Sequence, residues 1–218
     1  MIVHTHTRGW LIPSLFFILA ITLSACGKSN KTELKEIKIE DEVITQTPTP
    51  AKAIVVTEFL ESKKKTVSKL SQEFASHFRG GFTIDNAQTN KIGQLSVPTL
   101  KHNGQSLYAD HTIPDKISAQ HMAVATVFVK SGDDYVRIAT SVKKEDGGRA
   151  FGTTLDRRHP GYKKVLLGEP YSGTATLFGM IYMTEYSPIK DAAGNLVGIL
   201  FVGMDITADL IPLKAQLR

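Results

Sequence analysis

VATVFVKSGDDYVRIATSVK, residues 124–143, decides the fold. Two apolar, β-branched runs, Val124–Lys130 and Tyr135–Lys143, flank Ser131-Gly132-Asp133-Asp134, which predicts strand, tight turn, strand. In the second run Val136, Ile138, Thr140 and Val142 fall on one face, and Tyr135, Arg137, Ala139 and Ser141 on the other. Downstream, Glu145-Asp146-Gly147-Gly148 reads as a turn. His159–Leu167 reads as a short helix, with Pro160 in its first turn and Gly168 past its end. Three more strands are expected at Ala175–Phe178, Ile181–Ile189 and Leu196–Ile206, the last two joined by Lys190–Asn195.

Upstream of the hairpin, Leu60, Val67, Leu70, Phe74 and Phe78 recur at spacings of 7, 3, 4 and 4, one face of a helix over Ala51–Arg79. Lys63–Lys65 and Glu73 lie off that stripe, and Gly80-Gly81 supplies the stop. The stripe is a core-packing face, not a cofactor box. Phe82–Ile84 is expected as a short strand and Asn86–Ile92 as a loop. Leu95–Leu100 is expected as a strand ending at the His102-Asn103-Gly104 turn. One long helix followed by an antiparallel meander makes the fold class α+β, a twisted sheet with helices against its faces.

The N-terminus speaks to compartment. Arg8 precedes the apolar run Leu11–Leu23, which contains Pro13 and is too short to span a bilayer comfortably. The run ends in Leu23-Ser24-Ala25-Cys26, which resembles the lipobox of bacterial lipoproteins. That resemblance implies cleavage before Cys26, a diacylglyceryl thioether on its sulfur and acylation of the new amine. One acyl chain holds a protein marginally, whereas several hold it stably. An uncleaved anchor and an ordinary secretory signal are the alternatives. Residues 27–50, rich in Lys, Glu, Thr and Pro, have little to bury and read as a polar tether. The expected organisation is a signal peptide over 1–25, a linker over 26–50, one folded domain over 51–210 and a tail over 211–218. Gly27, in place of the aspartate linked to inner-membrane retention in enteric lipoproteins, points to the outer membrane and its periplasmic face.

The formal charge is +5, with 26 basic and 21 acidic side chains. The lysines are spread along the chain without interleaved aromatics, which argues against nucleic-acid binding. Weak attraction to an anionic membrane surface or to acidic ligands fits better. Cys26 is the lone cysteine, so no intrachain disulfide is available. Histidines 77, 102, 111, 121 and 159 lack the spacing of a metal site, and no G-x-S-x-G elbow occurs. Neither a metal, a cofactor nor catalysis is expected.

Two longer stretches, TVFVKSGDDYVRIATSVKKEDGGRAFGTTLDRRHPGY (126–162) and GEPYSGTATLFGMIYMTEYSPIKDAAGNLVGILFVGMDIT (168–207), resemble the single Cache sensor domains of the Cache 3/Cache 2 fusion type. The resemblance runs from about Ala51 through Asp209. It implies a PAS-like fold, with a long N-terminal helix beside a central antiparallel sheet and a small-ligand pocket on the sheet's other side. It departs from the family at Gln120-His121, where relatives carry Thr-Gly, and at Met180, near which they carry an arginine. The second departure implies a changed ligand preference or weaker binding. Chemoreceptors of this type continue into a second membrane span and a signalling coiled coil. This sequence ends at Arg218, and the expectation is a separate membrane signalling partner.

Arg137 offers the planar fork that matches a carboxylate. It reads either as a pocket residue or as a surface arginine on a solvated strand face, and the resemblance tips it to the pocket. Arg149, after a Gly-Gly turn, either reaches the pocket or caps a loop. Tyr135 shares the strand face of Arg137. Tyr171, Tyr182 and Tyr186 bring apolar rings with hydroxyl tips, which suit a pocket or a core. Thr176 and Phe178 alternate onto one strand face and are further candidate lining. Asp205 is expected to cap the turn that follows it. The expected function is lipid-anchored recognition of a small metabolite such as a short carboxylate. The alternative is a structural or interaction lipoprotein whose Cache fold no longer binds small molecules.

Overall fold

The computed structural model describes residues 50–215; the apolar run, Cys26 and most of the tether lie outside the described residues. In chain order, α1 (Pro50–Ser76) is followed by β1 (Phe82–Ile92), β2 (Leu95–His102), β3 (Gln105–Ser106), α2 (Thr112–His121), β4 (Ala123–Ser131) and β5 (Asp134–Thr140). Then come α3 (Pro160–Leu166), β6 (Tyr171–Leu177), β7 (Met180–Lys190), β8 (Leu196–Asp205) and α4 (Thr207–Ala215). The main sheet has five antiparallel strands in the order β5-β4-β8-β7-β6, and β1-β2-β3 form a smaller sheet.

The stripe predicted for α1 is its buried face. Val67, Leu70, Phe74 and Phe78 are buried and Leu60 packs at their edge. They meet Val127, Val129, Met183, Ile189, Leu200 and Val202 on one face of the main sheet. Ser71 Oγ and Ser187 Oγ share a hydrogen bond of 3.0 Å across this interface. Past the helix, Asn103 fixes the turn into β1, its Nδ2 donating to Arg79 O and its Oδ1 accepting from Gly81 N. At the other end of the sheet Asp205 Oδ1 accepts from Thr207 N at 2.8 Å and caps α4.

The opposite face carries a second core. Phe128, Tyr135, Tyr186, Ile199 and Phe201 pack there against Ala150, Leu155, Tyr162 and Val165 from α3 and the loop before it. The α+β, PAS-like class predicted from sequence is therefore the observed one, with a long helix on one face and a looser cover on the other.

Three local expectations are corrected. Asn86–Ile92 is strand, not loop. Its polar side chains are used across the ribbon: Asn90 Nδ2 donates to Thr99 Oγ1, which donates to Gln88 O. The irregularity that hid the strand is a register shift between Asp85 and Thr89, where Asp85 Oδ1 accepts from both Ala87 N and Gln88 N. Val142 does not share a face with Val136 and Ile138. A bulge places Arg137 opposite Phe128 but Ala139 opposite Val127, so the alternation slips and Val142 joins the second core. Finally, α2 stands where the sequence leads one to expect no element. Only Pro114 and Ile117 are buried along it, too few to show a period.

Candidate ligand-binding cleft

A cleft of about 810 Å3 opens on the face of the sheet opposite α1. Arg137 projects into it from β5. The loop Gly152–Arg158 and His159 form one wall, Thr176, Leu177 and Phe178 at the end of β6 the other, and Tyr186 lies at the floor. Leu95, at the start of β2, reaches the rim. The smaller sheet is seated there by shape. Gly152 has φ +78°, and a Cβ on it would lie 2.3 Å from Ile92 Cγ2. Tyr108 ties the same hairpin down by donating from its hydroxyl to Lys91 O at 2.7 Å.

Arg137 is the centre of the site. It is only 3% exposed. Its Nη1 donates to Thr153 Oγ1 at 2.6 Å and approaches Thr154 O at 3.4 Å. Its Cζ sits 4.8 Å from the centre of the Phe128 ring, a cation–π contact. Its Nε has no acceptor, and among the described residues no carboxylate forms an ion pair with it. Burial pulls the guanidinium pKa down to about 10, against a smaller opposing effect of Tyr186. The group is still a cation at neutral pH. A buried ion that lacks a counter-ion retains a desolvation penalty of several kcal/mol.

Around it stand further donors. Tyr186 is fully buried, its hydroxyl makes no well-formed hydrogen bond among the described residues, and burial pushes its pKa far up against smaller opposing effects of Arg137 and the nearby Thr184 hydroxyl. Its ring lies 5.1 Å from that of His159 and 4.8 Å from that of Phe201. His159 is the N-cap of α3, and its Nδ1 accepts from Gly161 N at 3.1 Å. The proton of the neutral ring is therefore on Nε2, which is buried without a hydrogen-bond partner. Burial lowers the His159 pKa, outweighing the Thr174 backbone and Asp156, which favour the charged form.

Of the residues singled out in the sequence, Arg137, Thr176, Phe178 and Tyr186 line the cleft. Tyr171 stands behind the wall, its ring 5.3 Å from His159 and 6.1 Å from Tyr186. Tyr135 is wholly buried edge-on to Tyr162, its hydroxyl unpartnered and its pKa raised by burial to about 12. Tyr182 and Arg149 are not in the lining. Burial and Asp205 raise the Tyr182 pKa.

Arg149 instead holds Asp115 with both terminal nitrogens, at 2.6 and 2.7 Å, and donates to Thr140 O at 2.7 Å. It clasps α2 to the end of β5. Arg149→Ala is expected to lower the melting temperature by about 2–4 °C, for a loss on the order of 1 kcal/mol at a partly exposed fork. Ligand affinity should stay within about twofold, and a thermal melt with a parallel titration separates the two readouts.

Thr153, Thr154 and His159 were not among the candidates. A signal for His159 was present, because a histidine directly before Pro160 at a helix start is placed to cap. Thr153 gave none, since its role depends on a loop returning beside β5.

The family model for the Cache 3/Cache 2 fusion domain matches residues 34–218. Among solved structures, the sensor domain of E. coli DcuS is similar at 17% sequence identity, with a TM-score of 0.34. The alignment covers 50% of this chain and 71% of that one. No curated protein matches.

Proposed function

The chain belongs to the Cache 3/Cache 2 fusion domain family, and from that premise we propose that it is an extracytoplasmic sensor module holding a small organic carboxylate in the cleft around Arg137. The observation that carries this reading is a buried guanidinium that lines an open cleft with an unpartnered Nε and, among the described residues, no acidic partner. A carboxylate would supply the missing charge and the missing acceptor together. Tyr186 and His159 add neutral donors beside it. Among the described residues, the imidazole in the lining, His159, is committed as a helix cap, which supports recognition over turnover.

Sensing requires that the ligand favour one of two states. The loop that holds Arg137 through Thr153 also carries Gly152, against which the β1–β2 hairpin is seated. Ligand contact at Arg137 would therefore bear on the hairpin, and a membrane signalling protein would read the change. The test is a thermal-shift screen of organic acids against amines of equal size. At 100 times Kd an acid should raise the midpoint by about 5–10 °C, from roughly 2.7 kcal/mol of mass-action stabilisation. Shifts by amines alone would sink the proposal.

Anchoring through Cys26 completes the reading. Its support is the Leu-Ser-Ala-Cys stretch after an apolar run. Cys26→Ser should abolish metabolic labelling with a fatty acid and leave the thermal midpoint of the domain unchanged. Labelling that persists would contradict the anchor.

A further inference from the structure

The cleft is much larger than its cation needs. Its open space is about 810 Å3, whereas a two-carbon acid displaces on the order of 100 Å3, about three waters at ~30 Å3 each. Clefts of roughly 300–1,000 Å3 bury ligands of drug size. The charge inside is single. Arg158, the other arginine of the lining, lies at the surface, its side chain 92% exposed beside Asp156. Apart from these groups the wall is largely apolar, with Leu95, Leu155, Leu177 and Phe178 facing the space. Leu95 is 43% exposed at the rim, an apolar side chain that a short acid would leave in water.

Phe178 is the sharpest clue. Leu177 pairs with Met180, so Phe178-Gly179 is a two-residue hairpin loop, with φ of +48° and +82°. Two positive φ values are the mark of a type I′ turn, whose first position favours Asn, Asp or Gly. A bulky aromatic there is a steric outlier. Residues held against their backbone preference concentrate at ligand clamps, and a broken local rule points to a use elsewhere. The ring lines the cleft across from the loop that carries Thr153 and Thr154.

We infer that the cleft takes an amphipathic monocarboxylate, its carboxylate on Arg137 and an apolar, ring-sized body against Phe178, Leu177 and Leu95. This rests on the reading of the cleft as a carboxylate site and narrows it to one ligand class. Phe178 is a specificity residue, selecting the body of the ligand and not its charge.

Calorimetric titration of the purified protein with phenylacetate, acetate and succinate tests it. Phenylacetate should bind at least about tenfold more tightly than either, since burial of an aromatic body adds area and ring contacts. Phe178→Asn should weaken phenylacetate about tenfold and leave acetate within about twofold. The melting temperature should hold or rise by up to about 4 °C, because Asn suits the turn. Leu95→Ser, at an exposed position, should weaken phenylacetate by a few fold with no change in stability. Acetate or succinate binding as tightly as phenylacetate would overturn the ligand class while leaving the carboxylate site standing. So would equal losses for all acids in Phe178→Asn together with a lowered melting temperature, which would make Phe178 a packing residue. If no acid binds at all, the carboxylate reading falls and the narrower class falls with it.

Discussion

Arg137→Met should abolish carboxylate binding and leave the unliganded protein at least as stable as before. Both halves follow from one observation. The guanidinium is 3% exposed and, among the described residues, has no acidic partner to offset its desolvation. Truncating one member of a buried charge pair costs about 2–5 kcal/mol of binding, roughly 30- to 4,000-fold in Kd. The unliganded protein, by contrast, loses a cation that burial already disfavours, as the depressed pKa of about 10 shows. Methionine keeps much of the volume and places sulfur near the Phe128 ring. Thr153 Oγ1 still donates to Ala150 O, so the loop keeps that anchor. The expected melting temperature is therefore unchanged or raised by a few degrees, as is common when buried ions give way to apolar groups. Titration and melting on one sample check it. A fall beyond about 5 °C would make Arg137 a structural residue. The affinity should also depend on pH in a known direction. The charged guanidinium binds the ionised carboxylate, so binding holds from above the ligand's own carboxyl pKa, about 4–5, up to about pH 10, and fades as pH rises through the guanidinium pKa of about 10.

The largest loss of stability is expected from Gly198→Ala. Gly198 lies in β8, paired with Val129 of β4 and Ile189 of β7, so it has sheet on both sides. A Cβ there would come 2.3 Å from the Phe128 carbonyl oxygen, and 3.3 Å from Ile189 Cδ1 and from Leu100 Cδ2. The two side-chain ends can shift, but a backbone carbonyl in a central strand cannot without breaking the β4–β8 ladder. Overpacking of this kind costs about 3 kcal/mol, at the upper end of the usual range. For a domain of this size the melting temperature should drop by about 6–12 °C. Gly194→Ala, where a Cβ meets nothing within 4 Å, is the control for loss of glycine alone and carries only its positive φ. Equal effects from the two substitutions would refute the packing argument.

What the sequence disclosed and what it hid have physical causes. The α1 stripe was legible because a helix on one sheet face repeats its contacts every three or four residues. The main-sheet strands were legible as dense apolar runs between turn residues. Arg137 stood out as a cation inside such a run. The slip at Ile138 did not, because a bulge inserts a residue without changing composition. Phe82–Ile84 was legible as strand, but the rest of β1 was hidden by polar residues whose bonds go to the partner strand, and α2 by having two buried side chains in ten residues. The cleft residues divide the same way. Thr176 and Tyr186 sit on strands whose alternation shows their face, whereas Phe178, expected as strand, lies in the turn after β6 with φ +48°. Thr153 and Thr154 come from a loop, whose path is fixed by Arg137 and by the seat of Ile92 at Gly152. Arg149 illustrates the limit of residue type: its fork meets Asp115, a carboxylate of the protein's own, 34 residues away.

The most direct measurement is a crystal structure of the protein grown with a carboxylate that stabilises it in the thermal screen. The carboxylate should lie against the Arg137 guanidinium at hydrogen-bond distance, about 2.7–2.9 Å from its nitrogens, with the rest of the ligand between Phe178 and the Gly152–Arg158 loop. A carboxylate bound elsewhere, with Arg137 still unpaired in an empty cleft, would contradict it.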